Sequence, residues 1–146
     1  MIQGRLIEYG QDLSDIEKVW ESVFPQKIND TLQWGSEIAV YGVIHDSQNN
    51  PLAAGKLIFL DGKYELSKIA VLETERNKGY GDFLAKLLVN KAFMSGADCV
   101  YATPDLNSFD FFRKLGFQLI NEKSSIQEKL NMILFTSSIC RKCSKI

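Results

Sequence analysis

The chain has 146 residues, of which 45% are hydrophobic, 24% charged and 11% aromatic, and its formal net charge is −1. This composition predicts one globular domain with a real core, and the charge balance argues against a general nucleic-acid binder, which usually carries an excess of basic residues. No apolar stretch approaches the ~20 residues of a membrane span, and the N-terminal residues lack the apolar core of a signal peptide, so we expect a cytoplasmic protein.

The first half of the chain predicts a strand, a helix and then three more strands. A short strand is expected at residues 5–9. Residues 13–24 repeat apolar side chains every three or four positions, which predicts an amphipathic helix ended by Pro25. Asp12 and Ser14 are alternative caps for its start, Ser14 having the capping-box spacing to Glu17. After the polar residues 26–36, strands separated by two turn signals are expected at 37–45, 52–60 and 64–72.

The second half predicts helices and strands in alternation. A helix runs from about Gly79 to Met94, and a shorter one at 108–115 ends at Gly116. Strands are expected at 98–103, 117–122 and 131–135. Early hairpins followed by one late crossover helix predict an α/β domain (α+β mixed sheet) rather than a doubly wound dinucleotide fold. We expect a single domain over residues 1–138 and a charged tail at 139–146.

A glycine-spaced turn follows the apolar end of the fourth strand and opens the long helix. Glycine lets a ligand approach the backbone, and the first N–H groups of a helix have no intrahelical acceptor, so this turn is suited to an anion such as phosphate. Two cations add positive charge there. The residues of the turn are Arg76, Asn77, Lys78, Gly79, Tyr80 and Gly81.

The chain resembles the GNAT N-acetyltransferase superfamily in two motifs. Arg76, Gly79 and Gly81 match the family's R/Q-x-x-G-x-G/A segment between the fourth strand and the following helix. Residues 111–117, Phe-Phe-Arg-Lys-Leu-Gly-Phe, match its aromatic pair followed by Leu-Gly-Phe. One helix and one strand separate the motifs, as in the family, and the order of elements agrees along nearly the whole chain.

The resemblance implies a mostly antiparallel sheet of about seven strands, flanked by helices and splayed between the fourth and fifth strands. It also implies acetyl-CoA as co-substrate, without a metal. In such a protein the N–H groups of residues 76–81 hold the pyrophosphate. The pantetheine lies along the fourth strand at Ile69, Ala70 and Val71, and the N–H near Val71 polarises the thioester carbonyl.

The resemblance also implies a base. In the histone-acetyltransferase branch a glutamate lies on the fourth strand, eleven positions before the R/Q-x-x-G-x-G motif, and counting back from Arg76 gives Glu65. An amine with a pKa near ~10 must lose a proton before it attacks a thioester, so a nearby carboxylate is useful. The alternative is a solvent-facing glutamate beside a hairpin turn.

Many relatives have a tyrosine at the second aromatic position that protonates the leaving thiolate. This chain has Phe112 there, which can only contact the cofactor, and Tyr80 and Tyr101 are weak substitutes. A thiol with a pKa near ~8.5 leaves without such help. Asn107 either caps the short helix, the more frequent role, or contacts the pantetheine.

Other residue types with metal or redox potential have plainer interpretations. Cys140 and Cys143 form a C-x-x-C near the end of the chain, but zinc needs about four ligands and only Cys99 and His45 remain, so we expect a tail with incidental thiols. His45 is expected on the surface and Trp20 in the core. Trp34 lines an acceptor pocket or packs on the sheet.

Together these features predict an enzyme that acetylates a primary amine. We expect the acceptor to be a small molecule, the protein to be a monomer or homodimer, and neither nucleic acid nor membrane to be a partner. A non-catalytic acyl-CoA sensor and an enzyme acting on protein or peptide amines are the alternatives.

Overall fold

The structure, a computed structural model, describes residues 2–8, 11–24, 38–104, 106–124 and 129–135. The strands are β1 (Gln3–Glu8), β2 (Ile38–His45), β3 (Pro51–Leu60), β4 (Lys63–Val71), β5 (Cys99–Ala102), β6 (Gln118–Ser124) and β7 (Lys129–Phe135). The helices are α1 (Ser14–Val23), α2 (Tyr80–Met94) and α3 (Phe109–Leu115), and short 3-10 turns precede α2 and α3. The expected strands and helices are confirmed, with ends shifted by one or two residues. Residues 26–36, Trp34, Cys140, Cys143 and the tail lie outside the described residues.

The seven strands form one mixed sheet in the order β1-β2-β3-β4-β5-β7-β6. Every neighbouring pair is antiparallel except β4 and β5, which are parallel. These two strands share a single partner pair, Glu65 with Tyr101. Beyond that pair β4 runs on to Val71 without a partner in β5, so a cleft opens between them. The predicted splayed, mostly antiparallel sheet is therefore confirmed.

Helices cover both faces of the sheet. On one face α2 and α3 bury a core that joins both sides of the cleft through Leu66, Leu88, Val100 and Leu134. On the other face α1 packs Ile16, Val19 and Trp20 on residues of β2, β3 and β4. Trp20 is 3% exposed, which confirms its predicted core position. No helix in the described part of the chain is both long and apolar enough to cross a bilayer.

A β-bulge interrupts β4 halfway along its length. Ala54 pairs with Ala70 and Lys56 with Ser67, so the short stretch at Gly55 faces one extra residue of β4. Lys68 takes a positive φ of 51°, and its carbonyl accepts a 3.0 Å hydrogen bond from the indole N–H of Trp20. The extra residue reverses the alternation of side chains. Leu66 and Ile69 therefore face α2, whereas the side chain of Lys68 lies over the Trp20 ring on the α1 face.

His45 of β2 contacts the start of α1, and its predicted position on the surface is wrong. His45 is 6% exposed rather than a surface residue, and its Nε2 lies 2.9 Å from Asp15 Oδ2. Arg5 lies 3.6 Å from the same carboxylate oxygen. Leu13 occupies the N-cap position of α1, which has no side-chain cap, so both predicted caps, Asp12 and Ser14, are wrong. Asp12 Oδ1 instead accepts the backbone N–H of Ser14 just before the helix.

Replacing Asp15 with alanine should lower the free energy of unfolding by about 1–3 kcal/mol, because a buried imidazole loses its hydrogen-bond partner. Urea denaturation with an unchanged m-value would measure the loss. Glu17→Ala is the matched control, since Glu17 is an exposed carboxylate in the same first helical turn. Equal losses in the two variants would contradict a specific role for the Asp15–His45 contact.

Candidate active site

The turn at residues 76–81 connects the end of β4 to α2. Asn77 and Gly79 both have positive φ, 65° and 85°, and the first helical hydrogen bond runs from the N–H of Phe83 to the carbonyl of Gly79. No side chain caps this helix end. The N–H groups of the first turn are therefore directed away from the helix with no acceptor in it, and together with the helix dipole they can bind an anion.

The two glycines of the turn have different roles. The positive φ of Gly79 favours glycine. A Cβ there would meet no atom within 4 Å, so the space in front of this backbone is open. A Cβ at Gly81 would lie 3.2 Å from the Phe111 ring and 3.4 Å from Val71. Gly81 therefore lets the helix start close to β4 and α3, whereas Gly79 leaves the backbone accessible.

The cationic side chains of Arg76 and Lys78 each contact another group of the protein in this structure. Arg76 Nε donates to the carbonyl of Val71 at 3.1 Å, which ties the turn back to the end of β4. Lys78 Nζ lies 3.1 Å from the Glu75 carboxylate. Both side chains are exposed beside the helix start. A phosphate contact from either cation stays a prediction.

The backbone groups of Val71 lie on the edge of β4 that faces the cleft, and its carbonyl accepts from Arg76 Nε. The N–H of Leu72 donates to the carbonyl of Leu52 on β3. Because backbone groups of an antiparallel strand alternate in direction, the N–H of Val71 then points away from β3 and towards the cleft. This is the direction that an oxyanion contact from Val71 requires. By the same alternation the N–H of Ala70 points towards β3, and the predicted contacts of Ile69, Ala70 and Val71 with pantetheine stay predictions.

Glu65 lies at the apex of the cleft, where β4 and β5 meet. It is half-buried, opposite Ile58 on β3 and Tyr101 on β5. Since its neighbour Leu66 enters the core under α2, the carboxylate projects on the α1 face of the sheet. Glu65 is thus part of the regular strand rather than of the Asp61–Gly62 turn, and its role as base stays a prediction.

Tyr101 shares this apex with Glu65. A hydrogen bond with the Cys99 thiol raises the pKa of Tyr101 above its usual value. A phenol of ordinary pKa, near ~10, already keeps its proton at neutral pH. Lys63 Nζ lies 5.1 Å from the centre of the Tyr101 ring. The phenol of Tyr101, which can donate a proton, and the carboxylate of Glu65 therefore belong to paired residues where β4 and β5 meet.

The second motif places its aromatic pair on the opposite side of the cleft. Phe112 is 7% exposed and meets Phe111 and Phe117 edge-to-face, with ring centres 5.2 and 5.3 Å away. Phe111, rather than Phe112, is the ring against Gly81. The preference for Asn107 as the cap of α3 is wrong, because the helix begins after Ser108 without a side-chain cap. Asn107 is exposed in the preceding 3-10 turn, and its contact with pantetheine stays a prediction.

One charged residue of this region was not anticipated. Lys56 lies in the middle of β3 and is 6% exposed, although the rest of the strand is mainly apolar. Its cross-strand partners are Tyr41 on β2 and Ser67 on β4. The sequence signal that could have identified Lys56 is that it is a single lysine within a strand predicted to be apolar. In the described part of the chain, no group of three or more His, Cys, Asp or Glu could hold a metal ion.

The splayed mixed sheet and the uncapped start of α2 are the arrangement that the two sequence motifs implied. The model of the acetyltransferase (GNAT) family matches residues 9–117. The chain belongs to this family. No curated protein was found to match it.

Solved structures agree with the family at the level of the fold. A GNAT family acetyltransferase from Elizabethkingia anophelis with acetyl-CoA bound is 16% identical, with a TM-score of 0.72 over 92% of this chain and 97% of that one. A GNAT family acetyltransferase from Staphylococcus aureus Mu50 is 16% identical, with a TM-score of 0.67 over 91% and 99%. N-acetylglutamate synthase from Neisseria gonorrhoeae, complexed with coenzyme A and N-acetyl-glutamate, is 15% identical, with a TM-score of 0.69 over 91% and 35%.

Proposed function

We propose that this protein transfers the acetyl group of acetyl-CoA to the primary amine of a small molecule, by direct attack of the amine on the thioester. The observation that carries the proposal is the arrangement around the cleft. An anion-binding helix start lies at its open end, and Glu65 lies at its apex on the opposite face from α2. The acetyl-CoA bound by the Elizabethkingia anophelis protein of the same fold supports the choice of donor.

In this proposal the donor lies along the cleft with its acetyl group near the apex. The N–H groups at the start of α2 bind the pyrophosphate, and the free edge of β4 pairs with the pantetheine. Glycine at position 79 keeps the first of these surfaces open. The Phe111 ring stands where the turn meets the cleft and forms one wall.

Reaction begins when Glu65 takes a proton from the ammonium form of the acceptor, directly or through a water molecule. The neutral amine attacks the thioester carbon, and the N–H of Val71 stabilises the oxyanion that forms. The C–S bond then breaks, the nitrogen, which became cationic in the attack, gives its extra proton to the departing thiolate, and the products are the amide and the thiol of CoA. Because a thiol has a pKa near ~8.5, no general acid is required, which suits a chain with Phe112 in place of tyrosine.

Acetyl-CoA and CoA should each stabilise the protein against heat. At about 100 times its Kd a ligand that binds only the folded state adds ~2.7 kcal/mol, which appears as a raised Tm. ATP is a suitable control, since it has phosphates but no pantetheine to lie along β4. Absence of any shift with both CoA forms would contradict the proposal at the binding step.

A non-catalytic acyl-CoA sensor is a second candidate, and Phe112 is the observation that favours it. The two candidates differ in turnover rather than in binding. A thiol-release assay across primary and secondary amines, amino acids and peptides distinguishes them. Stabilisation by acetyl-CoA without release for any amine would support the sensor.

We also propose the location, the oligomeric state and the partners of the enzyme. A cytoplasmic protein that acts as a monomer or homodimer, without nucleic acid or membrane as partners, fits the balanced charge of the sequence. A peptide or protein amine as acceptor is an outcome that the same assay would reveal.

A further inference from the structure

The side chain of Lys63 lies at the apex of the cleft, on the same face of the sheet as Glu65. Tyr64 and Leu66 both pack into the core under α2. Because side chains alternate along a strand, Lys63 and Glu65 project on the opposite, α1 face, with their Cα atoms about 6–7 Å apart. Lys63 is exposed, whereas Glu65 is half-buried. A primary amine of the protein itself therefore lies beside the proposed base.

The ring of Tyr101 on β5 contacts the ammonium of Lys63. Val100 and Ala102 are both buried in the core under α2, so Tyr101, between them, projects on the α1 face. Lys63 Nζ lies 5.1 Å from the centre of the Tyr101 ring, which is within the range of a cation–π contact. Tyr101 is also the partner of Glu65 where the two strands meet. The side chain of Lys63 therefore reaches from β4 to β5 at the apex of the cleft.

The apex is accessible on this face of the sheet. Helix α1 packs on the other end of β4, where Trp20 meets Ala54 and Ala70. At the apex, by contrast, Lys63 is exposed and Tyr101 is partly exposed. The opposite face of the cleft is closed by the core under α2 and α3. An amine can therefore approach an acetyl group at the apex from the side that carries Lys63.

We propose that Lys63 is itself an acceptor, so that the protein acetylates its own Lys63 when acetyl-CoA is bound. The inference rests on the proposed acetyl transfer and adds an acceptor within the chain to the same site. Glu65 takes a proton from the ammonium of Lys63, the neutral Nζ attacks the thioester carbon, and the C–S bond breaks. The nitrogen, cationic after the attack, gives its extra proton to the departing thiolate. The products are acetylated Lys63 and the thiol of CoA.

Mass spectrometry of the wild-type protein incubated with acetyl-CoA alone tests this inference. Peptide mapping over time gives the rate of acetylation at Lys63 and at Lys114, an exposed lysine on α3 that reports the uncatalysed reaction of a surface amine. We expect Lys63 to react about tenfold faster or more, because an amine held beside the thioester needs no association step. Its rate constant should not change when the protein is diluted, because the reaction takes place within one chain.

Two variants assign the reaction to the site. Glu65→Gln should slow the acetylation of Lys63 by about 10²-fold or more and leave that of Lys114 unchanged. Lys63→Arg keeps a cation beside the Tyr101 ring, but a guanidinium that stays protonated is not a nucleophile. The intact mass of this variant should therefore lack one acetyl group relative to the wild type, while its Tm still rises with acetyl-CoA.

The inference is overturned if Lys63 reacts no faster than Lys114, if Glu65→Gln leaves its rate unchanged, or if its rate constant falls on dilution, as in a reaction between two chains. Thiol release with added amines then decides separately about the proposed function. Release without acetylation of Lys63 overturns the inference and leaves that function intact. No release with any amine and no acetylation of Lys63, together with no stabilisation by acetyl-CoA, overturns both.

Discussion

Replacing Glu65 with glutamine should lower kcat by about 10²- to 10⁴-fold, the usual contribution of a general base. Glutamine keeps the size of the side chain on β4 but cannot accept the amine proton. Binding of acetyl-CoA, measured by its Tm shift, should not change, because in the proposal the start of α2 and the edge of β4, rather than Glu65, bind the donor. The rate deficit should shrink as the pH approaches ~10, where a larger fraction of the amine is already neutral in solution.

Glu21→Gln is the control for the loss of a carboxylate, since Glu21 is exposed on α1. It should leave kcat and its pH profile unchanged. A Glu65→Gln protein with the wild-type kcat for a good acceptor would show that the proton leaves by another route. The deprotonation step would then have to be assigned to solvent or to another group.

Replacing Gly79 with valine should abolish the stabilisation by acetyl-CoA. The residue has a φ of 85°, and a β-branched side chain there costs about 1–3 kcal/mol of stability. The new side chain meets no protein atom within 4 Å at its Cβ, so it projects into the space before the helix N–H groups. Thermal shift in the presence of acetyl-CoA measures the lost ligand contribution, about 2.7 kcal/mol at 100 times the wild-type Kd.

Gly96→Val separates backbone strain from ligand binding. Gly96 follows the other end of α2, has a φ of 102° and is also open around its Cβ position. The two variants should lose similar stability without ligand, but only Gly79→Val should lose the response to acetyl-CoA. An undiminished response in Gly79→Val would show that the 76–81 turn does not hold the donor.

The sequence was a good guide wherever local chemistry determines structure. Asp61 and Gly62 predicted a hairpin, and both take positive φ, 53° and 77°, between paired Leu60 and Lys63. A two-residue turn of this kind suits the twist of the strands it joins. Gly116 likewise ends α3 with a left-handed residue. Such features need only a few neighbouring residues and are visible in the sequence.

Long-range contacts were harder to predict. His45 has no neighbour in sequence that would bury it, and its partner Asp15 lies on α1, thirty positions earlier. Lys56 is buried because of what flanks β3 in the sheet, namely Tyr41 and Ser67. Lys56 does interrupt an apolar strand, but the interruption alone does not show which residues surround it. Residues of this kind become visible only when the strand order and the register are known.

The candidate site contains both kinds of feature, those determined by neighbouring residues and those determined by long-range contacts. The turn at 76–81 is a local motif, and the structure has the left-handed residues and the uncapped helix start that its glycines indicated. The partner of Glu65 across the cleft, Tyr101, depends on how two distant strands meet. From the sequence, Tyr101 is only a weak substitute for the proton-donating tyrosine, and no pattern indicates that it pairs with Glu65.

The eleven positions between Glu65 and Arg76 include one residue that the strand ladder skips, because of the bulge at Lys68. With that residue, Glu65 faces α1 while Ile69 faces α2; in a regular strand both would face the same side. A related sequence with the same spacing of eleven but no bulge could keep both motifs, yet turn its glutamate into the core under α2, whereas a spacing of ten without the bulge would keep the glutamate on the α1 face. Comparison of such sequences should therefore consider the spacing and the bulge together, because the motif letters alone do not tell which face of the sheet carries the glutamate.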